Sequence, residues 1–151
     1  MNRIMCIDYG DARIGIAMTD PLKIIVSAHS TLNNDDKSID SIKEIFISKS
    51  VYEVVIGLPY GKDSEIGDAA KKVINFTQKL KNCFDINGLE YKLFYQDERY
   101  STRDAAETMR EIGVKTKRKK SLVDQIAACY ILKSFLDSKY KEEVVFTNEV
   151  L

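Results

Sequence analysis

A single histidine, His29, and three widely separated cysteines leave little material for a zinc-type site. Cys6, Cys83 and Cys129 form no CxxC pair and no Cys/His spacing. Cys6 and Cys129 sit in apolar runs, where a reduced thiol behaves as a small hydrophobe, which suits a reducing compartment. An excess of charge of one sign is also lacking: 23 basic residues balance 23 acidic ones. That balance excludes a generic nucleic-acid coat, so any attraction for phosphate must come from local clustering. No apolar run approaches the length of a bilayer crossing, and charged Asp8 and Asp11 come too early for a signal-peptide core. A cytoplasmic protein with no membrane partner is the expectation. No nucleophile elbow supports serine chemistry, and no repeat or low-complexity linker divides the chain.

What remains is an ordinary globular composition. With 151 residues, 44% hydrophobic and 30% charged, residues 1–151 are expected to form a single domain with a substantial core. Arg3 to Asp8 reads as a buried strand. Tyr9-Gly10-Asp11-Ala12 supplies a turn, and Arg13 to Thr19 alternates as the second strand of a hairpin. Asp20-Pro21 breaks that strand, and Leu22 to Ala28 gives a third. Asn33 to Asp36 offers N-cap chemistry for a helix to about Ser50, with Ile39, Ile42, Ile45 and Phe46 on one face. Val51 to Gly57 is a fourth strand, about Glu65 to Phe84 a second helix, and Tyr91 to Tyr95 a fifth strand after the Asn87-Gly88 turn. Ser101 to Ile112 reads as a third helix. A basic linker, Lys115 to Lys120, leads to a fourth helix of about Leu122 to Ser138, and Val144 to Leu151 is a short tail. Three closely linked strands must be antiparallel, whereas strands separated by helices favour parallel pairing through right-handed crossovers. The fold class expected is α/β: a mixed five-stranded sheet with helices on both faces.

In such sheets ligands gather at the carboxyl ends of the parallel strands. Asp8 closes the first strand there, and Asp97-Glu98 closes the fifth. Asp124 lies on a helix stripe continued by Ala127, Ala128, Ile131 and Phe135, so it shares the sheet-facing side. Each acid has a plainer reading. Asp8 suits a turn, Asp97-Glu98 suits a helix entry, and Ser121-Leu-Val-Asp124 fits a capping box, as does Ser101-Thr-Arg-Asp104. Taken together, three acids from two strands and a late helix can converge only at one rim. Clustered carboxylates repel one another unless cations neutralise them, and Mg2+ or Mn2+ favours such oxygen sets. Two such ions would activate water and stabilise the leaving oxygen of a phosphodiester displacement. Lys115-Thr-Lys-Arg-Lys-Lys120 places five cations in six residues beside this rim. Lys117, Arg118, Lys119 and Lys120 are therefore candidate nucleic-acid contacts, with Arg13 and Arg99 as guanidinium contacts to phosphate. The plainer reading of the run is a solvated linker. Tyr9, Tyr60 and Tyr100 could stack on bases or simply pack.

The segment Ile7-Asp-Tyr-Gly-Asp-Ala-Arg-Ile-Gly-Ile-Ala-Met-Thr-Asp20 resembles the opening signature of the YqgF or RuvX proteins, the pre-16S rRNA nuclease family. Val55-Ile-Gly-Leu-Pro59, Asp97-Glu-Arg-Tyr-Ser-Thr102 and Val123-Asp-Gln-Ile-Ala-Ala128 match further motifs in order, so the resemblance runs from about Met5 to Leu136. It implies a ribonuclease H-like fold related to Holliday-junction resolvases, and a role in maturing the 5′ end of 16S ribosomal RNA. The family's acids map onto Asp8, Glu98 and Asp124 as catalytic and metal-binding residues. Tyr100 and Ser101 stand where the family usually has leucine and threonine. Better-known ribonuclease H-like enzymes carry an acid on the fourth strand, but here that strand ends Gly57-Leu58-Pro59. An acid on a fifth strand outside the fourth starts roughly 9–10 Å from the first strand. A glutamate can lean inward across that gap, which favours Glu98 over Asp97.

The expected partner is nucleic acid, precursor rRNA before a DNA junction, with the chain a monomer or weak homodimer. Two other readings stand beside it. Asp8-Tyr9-Gly10 before a hairpin also resembles the first phosphate loop of actin-like ATPases and sugar kinases, but these need a second lobe. A non-catalytic RNA-binding assembly factor would use the same acids structurally.

Overall fold

The computed structural model describes residues 2–59, 66–98 and 116–146, with side chains from residue 122 onward in the last of these. The first three strands, β1 (Arg3–Tyr9), β2 (Arg13–Thr19) and β3 (Val26–Asn33), form an antiparallel meander. After α1 (Ser38–Ser48) comes β4 (Val51–Leu58), which pairs parallel to β1. After α2 (Asp68–Ile86) comes β5 (Lys92–Asp97), parallel to β4. The last helix, α3 (Thr116–Asp137), is followed by β6 (Glu142–Glu143). The sheet order is β3-β2-β1-β4-β5-β6.

The mixed sheet and its helix layers match expectation, with one strand more than the five expected. The additional strand, β6, pairs antiparallel to β5, and Val144 N–H donates to Leu93 O at 2.8 Å. Two consecutive glutamates carry no hydrophobic alternation, so only the free edge of β5 recruits them. The third strand begins at Val26 rather than Leu22. Asp20 Oδ1 accepts from the N–H groups of both Ile24 and Ile25 at 2.8 Å, and Lys23 takes φ 60. That side-chain-anchored turn holds Leu22 to Ile25 out of the ladder. The first helix starts at Ser38, because β3 runs through Asn33 and Asp35 spends its side chain on a turn, accepting from Lys37 N–H at 2.9 Å. The basic stretch is no linker: residues 116–120 already belong to α3, so the run sits on that helix's first turns. The expected helix from Ser101 to Ile112 lies outside the described residues.

Strand alternation sends side chains to two cores. Ile7, Ile14, Ile16, Val54 and Ile56 pack with Ile42 and Phe46 of α1 and with Val73, Phe76, Leu80 and Phe84 of α2. On the opposite face Ile4, Cys6, Ala17, Val55 and Phe94 meet Ala128, Ile131, Leu132 and Phe135 of α3. β1 is therefore buried on both sides, which is why its sequence is continuously apolar. No helix among the described residues is long and apolar enough to cross a membrane.

Candidate active site

Because β1, β4 and β5 run parallel, their carboxyl ends share one rim. Asp8 continues the side of β1 used by Ile4 and Cys6, the side covered by α3. Its partner across the hairpin is Gly15, while on the other flank Ile7 pairs with Ile56, the residue before Gly57. Asp8 thus stands between two glycines on the same face. A Cβ at Gly15 would run into the backbone carbonyl of Asp124 and come within 3.0 Å of its Cβ. The bare Cα is what allows α3 to cross β2 so closely, and the crossing delivers Asp124 beside Asp8. A Cβ at Gly57 would lie 2.6 Å from Glu98 Oε2 and 2.8 Å from Ile131 Cδ1. Glu98 therefore leans over β4 through the space that Gly57 leaves open.

The lean ends in contact. Glu98 and Asp8 share a side-chain hydrogen bond. Burial pushes the Glu98 carboxyl from 4.5 up to about 8, helped by the charge of Asp8, the shared bond and the charge of Asp97. Burial also raises Asp8 above its ordinary value; the bond from Glu98 opposes that rise and the charge of Asp124 adds to it. The two carboxyls are joined by one hydrogen bond and titrate as a pair, with burial favouring the protonated form of Glu98. The field of these acids extends inward to Cys6, whose thiol is raised chiefly by burial and then by Asp8.

Asp124 is held from outside, with Arg13 Nε donating to its Oδ2 at 2.8 Å. The next residue, Gln125, donates from Nε2 to Thr31 Oγ1 at 3.0 Å. The capping-box reading of Asp124 falls away, since α3 begins at Thr116 and both Ser121 and Asp124 lie inside it. Of the two fifth-strand acids, Asp97 pairs in register with Leu58 as the last residue of β5, and Glu98 is the one bonded to Asp8. The three acids share a rim without forming a closed cage. Among the described residues no three ligand-type side chains are arranged to hold an ion. Arg13 is bound to Asp124 rather than standing free for phosphate. Lys117, Arg118, Lys119 and Lys120 have helical backbone, but their side chains, like Arg99, Tyr60 and Tyr100, lie outside the described residues. Tyr9 packs on Phe76 with ring centroids 4.8 Å apart, in favour of its packing role. Beside Glu98 a cavity of about 260 Å³ is lined by Tyr9, Gly10, Asp11, Pro59 and Lys72.

The RuvX family profile, described as a Holliday junction resolvase, matches residues 2–138. The chain belongs to the RuvX family. A relative from Acetivibrio thermocellus named "Putative pre-16S rRNA nuclease" is 39% identical over 143 residues, covering 92% of this chain and 98% of that protein. One of the same name from Bacteroides fragilis is 36% identical over 141 residues, covering 92% and 99%. The chain is also similar in fold to RuvC of Thermus thermophilus, solved in complex with a Holliday junction substrate. The TM-score is 0.58 at 14% identity, over 95% of this chain and all of that one, and it establishes the ribonuclease H-like architecture.

Reading the sequence alone missed Gly15 and Gly57 as parts of this RuvX site. The available signal was a glycine inside each of two otherwise apolar strand runs, a position that often marks close approach of another backbone or side chain.

Proposed function

We propose that this chain is a divalent-metal-dependent nuclease that hydrolyses a phosphodiester of structured nucleic acid, at the 5′ end of precursor 16S rRNA. The observation that carries the reading is the desolvated Asp8–Glu98 pair with the charge of Asp124 acting on it. Two half-buried carboxyls joined by one hydrogen bond, both with raised pKa, form a site that favours added positive charge. Their donor atoms are all oxygen, which fits Mg2+ or Mn2+ and excludes a thiolate or imidazole site. Asp8, Glu98 and Asp124 would hold the ions. Such ions would supply an activated water and neutralise charge on the leaving oxygen, as in two-metal nucleases.

The chain's own residues do the rest. Both carboxyls would favour their ionised form beside bound cations, so the proton that Asp8 and Glu98 share would pass to solvent and leave their oxygens free as ligands. Arg13, Arg99, Lys117, Arg118, Lys119 and Lys120 position the phosphate backbone without reading sequence. The names of the Acetivibrio and Bacteroides relatives support rRNA as the substrate. We read the chain as a single cytoplasmic domain, monomeric or weakly dimeric.

The test is cleavage of labelled precursor rRNA by purified protein with Mn2+, beside Asp8→Asn and Asp124→Asn variants. Both variants are expected to lose cleavage by at least about a thousandfold while binding is retained. Undiminished cleavage by both would end this mechanism. The family description favours one second reading, resolution of a four-way DNA junction. Running that junction in the same assay decides between substrates, and binding of either without cleavage would point to an assembly factor.

A further inference from the structure

We propose that Arg13 is a resident counter-ion that guards Asp124 until nucleic acid draws its guanidinium away, so that metal and nucleic acid load the site cooperatively. The inference rests on the nuclease reading above and deepens it.

The geometry leaves Asp124 little choice of partner. Its backbone is pressed against Gly15, so the carboxylate cannot retreat from the rim with its helix. Oδ2 accepts from Arg13 Nε at 2.8 Å, a charge-assisted bond that a divalent ion must displace or share. Arginine cannot lose its proton, so this positive charge can be moved but not switched off. Arg13 is also the movable member of the pair. It opens β2, and its side chain is 39% exposed against 23% for Asp124. A phosphate is the natural competitor, because the guanidinium fork matches its oxygens in a bidentate way. When phosphate takes Arg13, the Asp124 carboxylate is released beside Asp8. When a cation takes Asp124, Arg13 is released toward phosphate. Each ligand therefore strengthens the other by the same factor, as linkage requires.

The decisive measurement is Mn2+ binding by calorimetry, with no nucleic acid present, to the wild type, Arg13→Gln and Arg13→Lys. Arg13→Gln is expected to bind Mn2+ roughly tenfold more tightly than wild type. Arg13→Lys, which keeps the charge, should stay near wild type. Mn2+ affinity that is unchanged or weaker in Arg13→Gln overturns the guarding role while leaving the nuclease reading intact. Absence of Mn2+ binding in all three proteins overturns both. A second readout is fluorescence anisotropy of a labelled RNA hairpin, with Ca2+ or with EDTA at matched ionic strength. Wild type should gain affinity with Ca2+, and the gain should shrink in Arg13→Gln. An equal gain in both overturns the coupling.

Discussion

The two faces of the sheet both carry apolar cores but differ toward the rim. Against α1 and α2, large side chains interlock: Phe46 and Phe84 lie with ring centroids 4.6 Å apart, and Phe84 meets Tyr91 at 5.3 Å. Against α3 the contact is made by Ala128, Ile131, Leu132 and Phe135, the last 5.1 Å from Phe94 between ring centroids, and toward the rim it gives way to Gly15, Gly57 and three acids. The first face is apolar and close-packed, so its chief task is stability. At its rim end the second trades side-chain volume for proximity, bringing a helix and a long carboxylate within reach of Asp8. Fold and site are thus assigned to different sides of the same strands.

Substitutions can sharpen or break that contrast. The largest loss of stability is expected from Phe84→Ala on the α2 face, about 3–5 kcal/mol by denaturant unfolding. Residual folded protein should cleave at the normal rate, since nothing at the rim is touched. Gly15→Ala comes next, with about 2–3 kcal/mol from a Cβ forced into the Asp124 backbone, and loss of cleavage as α3 is displaced. Gly57→Ala separates the two quantities. Its new methyl meets the flexible ends of Glu98 and Ile131, so stability should fall by under about 1.5 kcal/mol. Cleavage should fall about a hundredfold, because a shift of Glu98 away from Asp8 would misplace a carboxylate of the proposed site. Equal losses of stability and rate in Gly57→Ala would show that the α3 face is ordinary core.

The gentlest test is pH. The folded metal-free chain holds the Glu98 proton up to about pH 8, whereas an unfolded glutamate releases it near 4.5. Between those values the folded state binds more protons than the unfolded one. Stability from this group is therefore complete below about 4.5 and declines until pH 8, where the slope ends. Asp8, raised in the same direction, contributes with the same sign. Glu98→Gln should flatten the decline, measured as Tm against pH in EDTA, and raise Tm at pH 8. A decline of the same slope in that variant would mean that the proton is held elsewhere.

Much of the architecture was legible because hydrophobic periodicity reports burial directly. The two-sided burial of β1 is written in Ile4, Met5, Cys6 and Ile7, and the inner stripe of α3 in Ala127, Ala128, Ile131 and Phe135. Boundaries failed where a side chain captured the backbone locally. Asp20 delayed β3, and Asp35 lies in the turn that precedes Ser38. β6 was invisible for a different reason: Glu142 and Glu143 carry no hydrophobic pattern, and their strand forms by pairing with the edge of β5. At the site, the acids were legible as chemistry. The glycines that let them meet carry no chemistry and were passed over.

The sequence alone determined which residues could serve: three carboxylates at strand ends and on an inward helix stripe, with no histidine or thiol set to compete. Their type and local periodicity are properties of the chain read in order. Tertiary structure decided which fifth-strand acid reaches Asp8, how near α3 approaches, and that Arg13 answers Asp124 rather than solvent. Those are distances between residues up to 111 positions apart in the chain. Such distances are fixed by sheet order and by the two missing Cβ atoms, and neither is encoded in any single segment.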